Sequence, residues 1–352
     1  GKYCVKVRSC SAGEWRTLCR DIKCSSIYQD PRWLELIEQV YPRLRLHRLA
    51  GIDDSREVTW LLPLVEIKVI GKLRPMLISL PFGNYGGFLY KKDPSSFSAE
   101  HIQLPLNEFF NVSRAFALEI RELEGSLQGF EPGGDFVRYE LTLPATVEQM
   151  WKETITGNAR TSVRKADKFG VEVSFCEGSQ LDVFQELNEQ HAAYHGTPIH
   201  KRSWYPTLVE KFGKQSEIVI GRFNGTPVGA LLVLYHEEKA ILHAAISDTN
   251  YRHIPVMDKL LWAYFEKTIS SGGVTSFDFG RTRADSGKRF FKRKWGAIEK
   301  PLNYSYLMKP GHVVPQILPE NPALAPAIVV WRHLPRWVHR SVGPLVRVRI
   351  PT

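Results

Sequence analysis

The chain has 352 residues, of which 43% are apolar and 24% charged, with a formal net charge of +10. These are globular proportions that exclude wholesale disorder, and the length suits about two domains. The longest apolar runs reach about nine residues, as at 323–331 with Pro326 interrupting, well short of the roughly 20 that span a bilayer; the first residues lack an apolar leader, so a cytoplasmic location is expected.

In chain order, a strand is predicted at 5–7 and a helix at 13–19. Asp30-Pro31 then caps a helix at 32–40, with proline at the first helical position, where its missing N–H is no loss. Strand-like runs follow at 44–50, 59–70 and 75–80, then a glycine-rich turn at 81–87 (PFGNYGG). A long helix is predicted over 106–123 and a strand over 136–143. The second half reads as helices at 147–155 and 159–169, a strand at 171–175, and amphipathic helices at 181–194 and 204–212. Strands at 217–223, 227–235 and 240–247 come next, joined by Asn224-Gly225 and a charged turn. A helix at 256–270 is closed by Gly272-Gly273, and strands at 275–279 and 304–307 complete the pattern.

Segments 46–81 and 220–247 share one plan: strand, glycine-containing turn, apolar strand, polar turn, strand. Two copies of one α+β unit side by side are the simplest architecture. The expected division is 1–145, 146–310 and a basic amphipathic tail, 311–352.

The basic excess is concentrated. Seven basic residues face only Asp285 between Arg281 and Lys294; Arg160, Arg164, Lys165 and Lys168 face only Asp167; and from Asn321 onward there are five Arg, two His and no acid. Such runs favour an anionic partner. Cys4, Cys10, Cys19, Cys24 and Cys176 include no C-x-x-C pair, so reduced thiols are expected. His191, His195 and His200 invite a metal reading, but H-x-x-x-H lacks the glutamate of H-E-x-x-H, and no metal is expected. In the tail, Trp331, Leu334, Trp337, Val338 and Val342 fall at helical spacing among Arg332, Arg336 and Arg340. That pattern fits an interfacial helix on anionic lipid, or a helix packed on its own domain.

Several motifs carry a family likeness. Residues 158–173 (NARTSVRKADKFGVEV) and Gly196-Thr197-Pro198 resemble segments of FemAB-like acyltransferases. So does Phe277-Asp278-Phe279-Gly280-Arg281, followed by Gly287 and then Phe291-Lys292-x-x-Trp295-Gly296. Residues 62–65 (LPLV) and 79–87 (SLPFGNYGG), and Asn321-Pro322, Trp331-Arg332-x-Leu334-Pro335 and Gly343-Pro344 in the tail, fit as well. The nearest likeness is to the FemAB-like proteins of exosortase/PEP-CTERM exopolysaccharide loci. The resemblance implies an α+β fold of tandem GNAT-like domains, mixed sheets flanked by helices. It also implies transfer of an acyl or aminoacyl group to an amine of a lipid-linked cell-envelope or exopolysaccharide precursor. No permanently bound cofactor is implied; the donor would be aminoacyl-tRNA or acyl-coenzyme A.

Acyl transfer to an amine requires a positioned ester or thioester, loss of the amine proton, donors for the oxyanion, and cations or N–H groups for the leaving portion. In a GNAT fold a splayed strand pair supplies backbone donors; here that pair would be 240–247 and 275–279. The phosphate cradle normally carries glycines, but this chain has Arg252-His253-Ile254-Pro255-Val256-Met257, which argues against conventional acetyl-coenzyme A binding. The resemblance places Lys292 near the reacting ester, as an electrostatic stabiliser. Arg281, at a strand end, is expected to clamp phosphate or to pair with Asp278, and Asp278 to orient Arg281 or take the amine proton. Arg160, Arg164 and Lys165 on one helix suit a lipid pyrophosphate or a nucleotide-sugar. Tyr194 and Thr197 are expected in the acceptor cleft wall, and Tyr85 in a glycine-rich loop between the domains. The rival readings are an acyl-coenzyme A-dependent N-acetyltransferase, a non-catalytic polysaccharide-assembly or membrane adaptor, and an RNA-binding protein. Possible partners are an anionic lipid-linked or sugar substrate, tRNA as donor, and the inner membrane surface through 322–352.

Overall fold

The computed structural model describes residues 4–91, 93–96, 98, 100–176, 179–315 and 321–352. It resolves into two compact units. The first comprises 1–134, 302–321 and 344–352, and the second 135–301 and 322–343. This differs from the linear division expected from the sequence, because one strand from each half of the chain pairs in the other half's sheet.

The chain begins with β1 (Cys4–Ser9), α1 (Ala12–Arg20), α2 (Pro31–Val40), β2 (Arg45–Asp53), β3 (Val58–Ile67), β4 (Met76–Ile78), β5 (Leu89–Tyr90), α3 (Glu100–Val112), β6 (Ala117–Glu122) and β7 (Glu131–Gly133). There follow β8 (Phe136–Thr142), α4 (Val147–Gln149) with a π-turn at Met150–Thr154, α5 (Gly157–Phe169), β9 (Glu172–Cys176), α6 (Leu181–His195), α7 (Trp204–Phe212), β10 (Ser216–Phe223), β11 (Thr226–His236) and β12 (Lys239–Ser247). The remainder is α8 (Val256–Ser271), β13 (Ser276–Arg283), α9 (Lys288–Arg293), β14 (Ile298–Pro301), β15 (Asn303–Met308), α10 (Ala325–Arg332) and α11 (Arg336–Arg347).

The first unit's sheet runs β1-β2-β3-β4-β6-β15-β7, with β5 also on β3; the second runs β14-β8-β13-β12-β11-β10-β9. The repeat seen in the sequence is visible here. β2-β3-β4 and β10-β11-β12 are antiparallel meanders, and each is followed by one parallel pairing, β4 with β6 and β12 with β13. β8 and β15 take equivalent places beside β13 and β6. That exchange is why boundaries at 145 and 310 misassign both strands.

The predicted helix over 106–123 is instead α3 ending at Val112, a Ser113 turn, and β6. All six β6 residues are buried, including the ion pair of Glu119 and Arg121 at 2.6 Å. Leu118 and Ile120 alternate with Glu119 and Arg121, but over too few residues to separate a strand from the end of the helical pattern before it. In the second unit the core joins Leu231, Val233, Leu260, Phe265, Phe277, Phe279 and Trp295. This packs α8 against the sheet and fixes the strand ends from which the site is built.

Candidate active site in the second unit

β12 and β13 pair through only three residues, Lys239 with Ser276, Ala240 with Phe277 and Ile241 with Asp278. Beyond them β12 runs on to Ser247 beside β11, while β13 turns towards β8. Each strand carries an irregularity at the divergence. His243 is an extra residue of β12 against β11, and an extra residue of β13 against β8 falls at Gly280, whose φ of +79° favours glycine. The result is a wedge between two inner strands. Ala245 is exposed although it lies in the middle of the sheet, as an open cleft requires.

Lys292, on α9, is 9% exposed, and its ammonium faces the bulge of β13. It donates to the carbonyls of Phe279 at 3.0 Å and Gly280 at 3.1 Å and to the Thr282 hydroxyl. Burial pulls its pKa down to about 8, with the Asp278 carboxylate opposing. All three ammonium protons are thus engaged with β13. The expected direct role at the reacting ester is replaced by a structural one, holding the splayed strand end.

Asp278 is buried. It accepts from the Gly280 N–H at 2.7 Å and lies 3.5 Å from the Arg138 guanidinium. The expected pairing with Arg281 is not what these contacts give: the Arg281 guanidinium lies over the Phe136 ring, 4.4 Å from its centroid. Three residues apart with a bulge between them, the side chains leave the strand differently. Asp278 therefore braces the bulge.

The basic groups at the wedge mouth come from α6 and α9. His191 Nδ1 lies 3.1 Å from the Ser247 carbonyl at the diverged end of β12, and its ring is 4.4 Å from that of His195. A carbonyl only accepts, so Nδ1 carries the proton and Nε2 the lone pair. Burial, with the nearby Lys288 charge, holds the His191 imidazole below its ordinary value; His195 is lowered by burial, His191 and Lys288. The Lys288 charge acts on Lys292 as well. The H-x-x-x-H spacing shows only that His191 and His195 share a helical face; their place beside Ser247 and Lys288 comes from the fold. Among the described residues no group of three or more His, Cys, Asp or Glu converges on a metal position.

The other predicted residues separate. Arg160 caps the preceding turn, its Nη1 donating to the carbonyls of Trp151 at 2.9 Å and Ile155 at 2.8 Å. Arg164, over the Trp151 ring, and Lys165 are exposed on α5. Thr197 closes α6, its N–H 2.9 Å from the Ala192 carbonyl. Tyr194 is exposed, its hydroxyl accepting from Arg252 at 3.0 Å. Tyr85 is 3% exposed and sits within the first unit, edge-on to Tyr28, so the loop it was expected to form belongs to that unit's core.

The entrance to α8, where a GNAT cradle would lie, has Pro255 as its N-cap and a buried Asp258 in its first turn, 2.5 Å from Lys294. Proline offers no N–H and the carboxylate opposes an anion there. In the first unit the equivalent divergence of β4 and β6 is filled. Arg121, fully buried, donates to the Gly83 carbonyl at 3.0 Å and the Pro351 carbonyl at 3.1 Å, and Tyr306 donates to Glu119 at 2.7 Å. The open wedge is the second unit's.

Residues 156–293 match the model of the acetyltransferase (GNAT) domain, a stretch that contains the wedge, α6, α8 and α9. The whole chain has a tandem GNAT-like fold, mixed sheets flanked by helices, as expected from the sequence. No curated protein matches it. Among solved structures it is similar to FemX, at 14% identity and a TM-score of 0.62, over 87% of this chain and 98% of that one. It is also similar to the C-terminal domain of a putative lysylphosphatidylglycerol synthetase from Agrobacterium fabrum (13%, TM-score 0.56, 84% and 92%). The L-PGS of Bacillus licheniformis is a third (12%, TM-score 0.54, 96% and 98%).

Proposed function

We propose that the second unit transfers an acyl or aminoacyl group from an activated ester or thioester to an amine, and that this amine belongs to a lipid-linked cell-envelope or exopolysaccharide precursor. The observation that carries the reading is the wedge. Beyond Ile241 the backbone of β12 leaves β13, so its N–H groups are placed to meet a donor carbonyl and the oxyanion formed from it. His191, neutral and with its proton fixed on Nδ1 by Ser247, acts as general base through Nε2. The amine nitrogen bonds to the carbonyl carbon and its proton passes to Nε2. The ester C–O or thioester C–S bond breaks, and the proton goes on to the leaving oxygen or sulfur. Lys292 and Asp278 are positioning residues that hold the β13 bulge. Arg164 and Lys165, exposed on α5, and Arg252 beside Tyr194 offer cations to substrate phosphate.

For the donor, Pro255 and Asp258 at the start of α8 disfavour a coenzyme A pyrophosphate, which supports an aminoacyl ester such as aminoacyl-tRNA. The fold likeness to a lysylphosphatidylglycerol synthetase, whose name joins an aminoacyl group to a phospholipid, is in keeping with that class. A second reading, acyl-coenzyme A as donor, is favoured by the acetyltransferase description of the domain that 156–293 match. The test is to incubate the protein with aminoacyl-tRNAs or acyl-coenzyme A and amine-bearing lipid-linked precursors, and to follow acceptor mass. An aminoacyl mass increment supports the first donor and an acyl increment only with the thioester supports the second. No increment with any pair, while the protein is folded, would sink the transferase reading.

A further inference from the structure

The tail is not one continuous helix. α10 and α11 form a hairpin around His333-Leu334-Pro335. Trp331 and His339 clamp it, with rings stacked at 5.2 Å and 13° and the imidazole Nε2 2.8 Å from the Trp331 carbonyl. The hairpin is seated on α6. A Cβ on Gly196 would meet Ile328 Cγ2 at 2.5 Å, and Arg336 pairs with Glu186 at 2.6 Å and Arg340 with Glu189 at 2.7 Å. The seat leaves an apolar face outside. Residues 322–331 contain no charge, yet Val329, Val330 and Trp337 are 51%, 62% and 68% exposed, and Ala325, Pro326 and Ala327 are exposed beside them. Arg332, His333 and Arg336 border that face. Next to Arg340 lies a cleft also lined by Glu189, His200, Lys201, Arg202 and Tyr205. No acid occurs from Asn321 onward.

We propose that this face docks the second unit on an anionic bilayer surface. Val329, Val330 and Trp337 enter the boundary between headgroups and acyl chains, and the basic rim and cleft meet lipid phosphate. An apolar face carrying an outward tryptophan and bordered by arginine suits the bilayer interface. The tail has five arginines and no acid, so it complements an anionic leaflet even with Arg336 and Arg340 paired to Glu186 and Glu189 of α6. Among the described residues no helix is long and apolar enough to cross a membrane, so the hairpin lies on the surface. Only its bearing on a lipid-linked acceptor rests on the proposed function; the docking itself does not.

The test is co-sedimentation of the full chain with phosphatidylcholine vesicles containing about 30% phosphatidylglycerol, against phosphatidylcholine alone. The wild type is expected to sediment with the anionic vesicles, weakening at about 0.5 M NaCl. Val329→Ser/Val330→Ser/Trp337→Ser should bind at least about tenfold less tightly, with an unchanged unfolding midpoint and unchanged transfer to a soluble amine acceptor. Three results would overturn the proposal: no sedimentation of the wild type at low salt, equal binding by the triple variant, or a concentration-dependent dimer of the wild type that the variant loses, which would assign the face to a second copy. Vesicle binding is read without any transfer assay, so failure of the docking and failure of the chemistry are separate results.

Discussion

Replacing Lys292 with Met probes the hinge on which the wedge depends. The ammonium is buried with its pKa held at about 8, against 10.5 for an ordinary lysine. Below about pH 8 the group is charged in both folded and unfolded chains, and above about 10.5 neutral in both. Between those limits the unfolded chain binds a proton that the folded chain does not, so stability rises with pH. At about 1.4 kcal/mol per pH unit over the gap, the gain is about 3 kcal/mol. Met has no proton to lose, so the stability difference between wild type and Lys292→Met should widen by about 3 kcal/mol across that window. At neutral pH the variant leaves the carbonyls of Phe279 and Gly280 and the Thr282 hydroxyl without the ammonium. That costs about 1–3 kcal/mol per unpaired group, partly offset by relief of the buried charge, for a net loss of about 1–3 kcal/mol. Urea unfolding at about pH 7.5, 9 and 10.5, followed by fluorescence, gives the difference directly. Lys292→Arg, permanently charged, should show no gain with pH. A difference constant from pH 7.5 to 10.5 would mean that the ammonium is not buried on β13.

At Gly196, where φ is +69° and a Cβ meets Ile328, Gly196→Val should unseat the hairpin, at a loss of about 1–3 kcal/mol, and speed proteolysis within 322–343. In the first unit, Arg121→Met strands the Glu119 carboxylate in the core; a loss of about 3–5 kcal/mol is expected in chemical denaturation, and a loss under about 1 kcal/mol would contradict the pairing. Calorimetry with acetyl-coenzyme A should detect weak or no binding, because Pro255 and Asp258 occupy the start of α8; micromolar affinity would favour the thioester donor.

The tandem plan was legible because the two meanders repeat one pattern of strand, glycine turn and apolar strand, and because β12 and β13 were placeable from that pattern. β6 was not, since its alternation of Leu118 and Ile120 with Glu119 and Arg121 is short and runs straight on from the helical pattern of α3. The exchange of β8 and β15 between sheets is a long-range pairing with no local signal. At the site, position in sequence found the right strand end but not the directions of its side chains. Lys292, Asp278 and Arg281 lie within one stretch, yet the bulge at Gly280 sends the ammonium onto β13, the carboxylate to Arg138 and the guanidinium onto Phe136. His191 reached the site only through the fold, because α6 brings it to Ser247 across 56 residues of chain. The tail's spacing suits one helix; Pro335 breaks it, and the Trp331–His339 stack turns inward a tryptophan that the spacing pattern places on the lipid face.

Whether the wedge transfers an acyl group with His191 as the base is decided by single-turnover transfer measured as a function of pH. The imidazole pKa lies below 6.5 because of burial and Lys288. The wild-type rate should therefore climb with pH through a midpoint below that value and stay level to neutrality. His191→Gln should lower the rate by about 10²–10⁴ and abolish the climb, with its unfolding midpoint retained. A variant that keeps the wild-type rate and pH profile would contradict the account.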